Sequence, residues 1–152
     1  MNVLQQQDDS WSVTQAASDY QQIQTEPTMK KILIVNDDPI NNLILSKWFK
    51  DKTCEVKVVT DGLQALDVLH AEQDFDYILL DMYMPLMDGF TLMKTINADA
   101  ALHGQKFQII IISGGLVSDI RRSLKEQNIS TGKLKDYLPK PIDFDDLEAM
   151  LL

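Results

Sequence analysis

YILLDMYMPLMDG, residues 77–89, contains a short apolar run, Ile78 to Leu80, that ends at once in Asp81. A continuous apolar run of this length suits a strand buried on both faces, the habit of a parallel sheet lying between helices. Met84, Pro85, Leu86 and Met87 then lead to Asp88-Gly89, a turn pair ahead of a helical pattern. Asp81 is thus expected at the carboxyl end of a central strand, the edge where open α/β sheets bind ligands. A carboxylate there is solvated enough to ionise and held firmly enough to act as nucleophile or metal ligand. On this stretch alone, an acid that merely ends a strand or caps a turn is the competing reading.

The flanking chain repeats the same alternation. KKILIV predicts a buried strand ending at Val35, followed by Asn36, Asp37, Asp38 and Pro39. Pro39 suits a first helical turn, and Asp37 or Asp38 a helix cap. Ile40, Leu43, Ile44 and Trp48 are expected as the inward stripe of the first helix. Cys54 to Val59 alternates as a second strand, and Leu63, Leu66 and Leu69 mark the face of a second helix. Phe75 to Leu80 is the third strand, with Phe90, Met93 and Ile96 on the helix after it. Phe107 to Ile112 is the fourth strand, stopped by Ser113-Gly114-Gly115, and Leu116, Val117, Ile120 and Leu124 stripe the fourth helix. Asn128 to Lys135 reads as a polar loop, Tyr137-Leu138 as a short fifth strand, and Phe144 to Leu151 as a last helix. Strands alternating with helices imply a parallel sheet with right-handed crossovers and helices on both faces.

Composition narrows the function. The 152 residues suit one domain, residues 29–152, behind a leader of residues 1–28. The leader has seven Gln and no Lys or Arg. It reads as disordered, or as a short helix with Val13, Ala16, Ala17, Tyr20 and Ile23 at helical spacing behind Ser10. A net charge of −9 argues against direct binding of nucleic acid, which relies on phosphate neutralisation by Lys and Arg. A single cysteine, Cys54, rules out an internal disulfide and any multi-cysteine metal site. With no membrane span and no signal architecture in the sequence, a cytoplasmic location is expected.

A parallel sheet gathers the carboxyl ends of its strands into one crevice. There it collects Asp37 and Asp38 after the first strand, Asp81 after the third, Ser113 after the fourth and Lys140 after the fifth. Carboxylates held close together repel and favour a hard cation, Mg²⁺ or Mn²⁺, on oxygen ligands. With such a cation and Lys140 to stabilise equatorial oxygens, Asp81 suits the role of phosphoryl acceptor, with Ser113 as hydroxyl donor.

Here ILIVNDDPIN, ILLDMYMPLMDG, IIIISGG and YLPKPI together resemble the receiver domain of two-component response regulators, from Lys30 to the C-terminus. The resemblance implies a flavodoxin-like, doubly wound sheet of order 2-1-3-4-5. It implies Asp81 as phosphoacceptor, Lys140 as the stabilising lysine, Ser113 as switch hydroxyl and Tyr137 as its coupled aromatic. It implies a metal held by Asp37, Asp81 and the Tyr83 backbone carbonyl, with Asn36 acting through a water, and a cis bond at Lys140-Pro141. The family usually has two acids after the first strand. Aligning at Pro39 puts Asn36 and Asp37 there, and an alignment on Asp37 and Asp38 fits the spacing less well. The Ser113–Lys140 stretch is longer than usual, through an insertion at Asn128 to Lys135.

The implied partners are a histidine kinase or histidine phosphotransfer protein, and a downstream protein on the face of helix 4, strand 5 and helix 5. The expected form is a stand-alone signalling protein, with a phosphorelay intermediate or the receiver segment of a larger hybrid kinase left open, and not an enzyme beyond its own phosphorylation and dephosphorylation. A pseudo-receiver that binds partners without phosphorylation is the alternative, suggested by Asn36. An aspartate-nucleophile phosphatase wants a second Asp where Tyr83 stands, and a flavin carrier wants a phosphate loop after the first strand.

Overall fold

The computed structural model describes residues 29–151. The leader, with its expected helix, lies outside them. Strand β1 (Lys31–Val35) runs into helix α1 (Pro39–Asp51), β2 (Glu55–Val59), α2 (Gly62–Ala71), β3 (Tyr77–Asp81) and α3 (Gly89–Ala98). A single helical turn (Ala100–His103) precedes β4 (Gln108–Ser113), α4 (Val117–Glu126), β5 (Leu134–Pro139) and α5 (Phe144–Leu151). The five strands form one parallel sheet in the order β2-β1-β3-β4-β5. That is the implied topology.

Side chains one residue apart on a strand point to opposite faces, so the central strands feed two cores. Leu33, Val35, Ile78, Leu80, Ile109 and Ile111 meet α2, α3 and α4 through Ala65, Leu69, Phe90, Met93, Ile120 and Leu124. Ile32, Ile34, Leu79, Ile110 and Ile112 meet α1 and α5 through Leu45, Phe49 and Leu147. Being buried on both faces is why β1, β3 and β4 read as unbroken apolar runs.

The strand-to-helix turns are built from acids. Asp38 accepts from the N–H groups of Ile40 and Asn41, Asp61 from Gln64 and Asp88 from Thr91, each capping a helix start. Gly89 lets the loop after β3 close on itself. A Cβ there would lie 2.6 Å from Met82 Sδ and 2.8 Å from the Asp81 carbonyl.

Several expectations need correction. The α1 residues expected inside, Ile40, Leu43 and Ile44, are 69%, 73% and 48% exposed, with Trp48 half-buried; Asn42, Leu45 and Phe49 face the sheet instead. Both sets recur at helical spacing on opposite sides, and a polar Asn in the buried set disguises it. Leu63 and Leu116 are exposed as well, at the first turn of α2 and the cap position of α4, where the chain has not yet closed on the sheet. β5 begins at Leu134, inside the expected loop, and Ile129 within that loop is buried. As an edge strand, β5 carries exposed Lys135 and Asp136, and its register shifts opposite Ile109/Ile110. β3 starts at Tyr77, with Phe75 buried just before it.

Candidate functional site

Asp81 ends β3 with its side chain only 7% exposed. Oδ1 accepts the Tyr83 N–H at 3.2 Å, and Oδ2 faces Lys140 Nζ at 3.4 Å. Burial pushes the carboxyl above its ordinary value. The Tyr83 amide and Lys140 pull the other way, and the negative charge of Asp37 raises it further. Asp81 is therefore an electrostatically expensive carboxylate, short of positive charge.

Lys140 reaches the cleft from the end of β5, anchored by its N–H donating to the Ser113 carbonyl at 2.9 Å. Its bond to Pro141 is cis. Lys140 Nζ lies 3.5 Å from Asn36 Oδ1, so the ammonium stands between Asn36 and Asp81. Asn36 is fully buried at the end of β1, its N–H donating to the Val59 carbonyl. Asp37 is exposed, while Asp38 is occupied in capping α1. That occupation favours Asn36-Asp37 as the pair after the first strand.

Ser113 is buried, and its Oγ accepts the Gly115 N–H at 3.1 Å. Tyr137, half-buried on β5, shares a small void with Ser113, and the Arg121 guanidinium lies 4.9 Å from its ring centroid. Tyr83 is 54% exposed and packs edge-on against Phe90 at the cleft mouth. Of the predicted residues, Lys140 is in direct contact with both Asn36 and Asp81. Asp37 acts on Asp81 through charge, and Ser113 and Tyr137 form a neighbouring pair.

A hard cation fits the donors. Asp37 and Asp81 feel each other's charge, and the cleft offers oxygen rather than sulfur or imidazole. Among the described residues no group of three His, Cys, Asp or Glu is placed to hold a metal, so main-chain and water oxygens must complete any such sphere.

The sequence reading missed Asn42. Asn42, 7% exposed on α1, locks onto Asn36: Asn42 Nδ2 donates to the Asn36 carbonyl at 2.7 Å, and Asn36 Nδ2 donates to Asn42 Oδ1 at 3.1 Å. Its one signal was a polar residue seven positions before Phe49 and three before Leu45, on the spacing of the buried stripe.

Residues 32–152 match the response regulator receiver domain. The chain is 28% identical over 123 residues to the sensor histidine kinase GacS of Pseudomonas protegens, covering 80% of this chain and 13% of that protein. It is 37% identical over 120 residues to the transcriptional regulatory protein ZraR of Escherichia coli K12, covering 79% of this chain and 25% of that one. Among solved structures, the receiver domain of the sensor histidine kinase PA1611 from Pseudomonas aeruginosa superposes with a TM-score of 0.69 at 26% identity. That comparison covers 82% of this chain and 95% of the other, which has a magnesium ion coordinated in its active-site cleft. The chain spans a quarter or less of the length of these two curated relatives. By its match over most of its length, the chain belongs to the response regulator receiver domain family.

Proposed function

We propose that this receiver takes a phosphoryl group from a phosphohistidine donor onto Asp81 and uses the charge change to alter partner binding. The observation that carries this reading is the desolvated Asp81 carboxylate beside Lys140, with the Asp37 charge acting on it. An Asp81 oxygen attacks phosphorus, the P–N bond of the donor breaks, and its electron pair returns to the imidazole. The product is an acyl phosphate. Lys140 Nζ receives the transferred oxygens and is already aimed between two acceptors. Asp37, Asp81 and the Tyr83 carbonyl would hold a Mg²⁺ or Mn²⁺ ion, with Asn36 reached through a water; when bound, the ion supplies charge neutralisation for the phosphoryl oxygens. Turnover is confined to the chain's own phosphorylation and the hydrolysis of that acyl phosphate.

Two surfaces suit the partners. The exposed Ile40, Leu43 and Ile44 on α1 adjoin a groove lined by Ile44, Lys140, Pro141 and Ile142. An apolar patch this close to the nucleophile suits the helical face of a histidine kinase or histidine phosphotransfer protein. On the far side, α4 and β5 form a groove with Arg121 and Lys125 above Leu124, Leu134 and Tyr137, suited to a downstream protein. No helix among the described residues is long and apolar enough to cross a membrane.

Asn36 favours one second reading, a pseudo-receiver, because it leaves the cleft one carboxylate short. One experiment separates the two. Incubation with a small phosphodonor and Mg²⁺, followed by intact mass, is expected to add one phosphoryl group to wild type. An unchanged wild-type mass establishes the pseudo-receiver instead.

A further inference from the structure

We infer that Asn42 is a positioning residue that makes a neutral amide, and not a carboxylate, the side chain that fits at position 36. The inference rests on Asp81 being the phosphoacceptor only for its consequence; the geometry stands without it. Three contacts in series fix which atom is which. The main-chain carbonyl of Asn36 can only accept, so the Asn42 atom 2.7 Å away is its Nδ2. Asn42 Oδ1 must then face a donor, so the Asn36 atom 3.1 Å away is its Nδ2. That leaves Asn36 Oδ1 turned to a cation, Lys140 Nζ, at 3.5 Å. Each assignment forces the next, from a carbonyl that cannot donate to an ammonium that cannot accept.

A carboxylate at position 36 breaks this series at the middle link. One of its oxygens falls where Asn36 Nδ2 now lies, 3.1 Å from Asn42 Oδ1, acceptor against acceptor. Turning the Asn42 amide over does not relieve it, because Oδ1 would then oppose the Asn36 carbonyl. Asn36 is fully buried and Asn42 is 7% exposed, so water does not easily repair either mismatch. The pair therefore holds the cleft at two carboxylates and one lysine, and makes the second acceptor on Lys140, beside Asp81, a weak and neutral one. An arriving phosphoryl group then competes with Asn36 Oδ1 and Asp81 for that ammonium, and not with a second carboxylate.

The test is a cycle of four full-length proteins: wild type, Asn36→Asp, Asn42→Leu and the double variant. Melting temperature without metal and Mg²⁺ affinity by calorimetry are measured for each. In the wild-type background Asn36→Asp is expected to lower the melting temperature and to change Mg²⁺ affinity by less than about twofold. In the Asn42→Leu background, where no acceptor opposes the new carboxylate, the same change is expected to tighten Mg²⁺ on the order of tenfold, the scale of one charged contact. Equal effects in both backgrounds overturn the proposal. If Asn42→Leu does not fold, Asn36→Asp alone decides. A tenfold gain in affinity with no loss of melting temperature refutes the proposal, and a lowered melting temperature with unchanged affinity supports it. Wild-type intact mass after treatment with the phosphodonor reports separately on Asp81, so the two readings fail independently.

Discussion

The two edges of the sheet both set lysines against carboxylates, and they do so in opposite ways. At the amino ends of the strands, Lys31 Nζ lies 2.8 Å from Glu72 and 2.6 Å from Asp74, with Lys57 on Glu72 and Lys106 on Asp76. There the hydrogen bonds of Lys31 hold the Glu72 and Asp74 carboxyls below their ordinary values, and those two carboxylates hold the Lys31 ammonium above its own. At the carboxyl ends, Lys140 stands at 3.4 Å from Asp81, and burial keeps that carboxyl above its ordinary value despite the lysine. One edge has its charges satisfied and the other has them waiting. On the proposed function, a site that accepts a doubly charged group gains nothing from a partner already saturated, and the raised Asp81 carboxyl marks the edge where added positive charge is most favourable.

The sharpest way to break the contrast is to remove the proposed nucleophile. Asp81→Asn is nearly isosteric and is expected to abolish phosphorylation by a small phosphodonor, with no added mass. Lys31→Met, at the other edge, is expected to leave that added mass unchanged. Phosphorylation of both variants alike would mean that the edges do not differ in function.

Next in size is Lys140. Among the described residues Lys140 is the one cation paired with Asp81, and Lys140→Met is expected to slow phosphorylation by roughly 10²-fold, the usual scale for one preorganised charge-stabilising group. The check is a time course of intact mass at saturating Mg²⁺. A rate within twofold of wild type would show that the ammonium does not reach the transferring oxygens.

Stability sharpens the comparison through its sign. Asp81, with its pKa raised in the fold, binds its proton more tightly folded than unfolded. Stability therefore falls as pH rises from the unfolded carboxyl value, about 4, through the folded one, and the cost persists at neutral pH. Asp81→Asn lifts that cost, so its melting temperature is expected to exceed that of wild type at pH 7, with the difference vanishing as pH falls toward about 4. Glu72 and Asp74 run the other way. Their contribution is present above the unfolded carboxyl value and is lost as pH falls through the folded ones. Lys31→Met is accordingly expected to lower the melting temperature at pH 7. Thermal scans of both variants against pH read the two signs directly, and a destabilised Asp81→Asn at pH 7 would refute the electrostatic account of the cleft.

How much of this was legible in the sequence follows from where polar residues stand. Asp81, Asp37, Ser113 and Lys140 each close or follow a strand, and an apolar run broken by a polar residue is the plainest signal a parallel sheet gives. Topology then brought them to one edge without any knowledge of packing. Asn42 was not legible, because a polar residue inside a helix reads as solvated unless a buried partner is known, and Asn36 was that partner. The same effect reversed the faces of α1: Ile40, Leu43 and Ile44 outscored a buried stripe that contains an amide. β5 was shortened in the reading because an edge strand tolerates Lys135 and Asp136 on its open side, and charged residues resemble a loop.

The smallest expected effect concerns how the strained edge communicates. Ser113 Oγ accepts from Gly115 N–H in the cleft, and Ser113 and Tyr137 line the same small void behind it. A phosphoryl group on Asp81 brings strong acceptor oxygens, which favour the Ser113 hydroxyl as donor and draw the loop toward Asp81. That movement is expected to open room for the Tyr137 ring, which the Arg121 guanidinium overlies from α4. On this account phosphorylation is expected to bias an equilibrium the fold already has, without building a new fold. Ser113→Ala keeps Asp81, Lys140 and Asp37 in place, so it is expected to be phosphorylated, within about tenfold of the wild-type rate, the net worth of one lost hydrogen bond to a charged group. What it is expected to lose is the response at a distance. Hydrogen exchange across residues 116–137, with and without the phosphodonor, is expected to change on phosphorylation in wild type and to stay nearly flat in Ser113→Ala. Equal responses in the two proteins would mean that the hydroxyl is not the relay, and that the cleft reaches α4 and β5 through the Lys140 main chain, whose N–H already holds the Ser113 carbonyl at 2.9 Å.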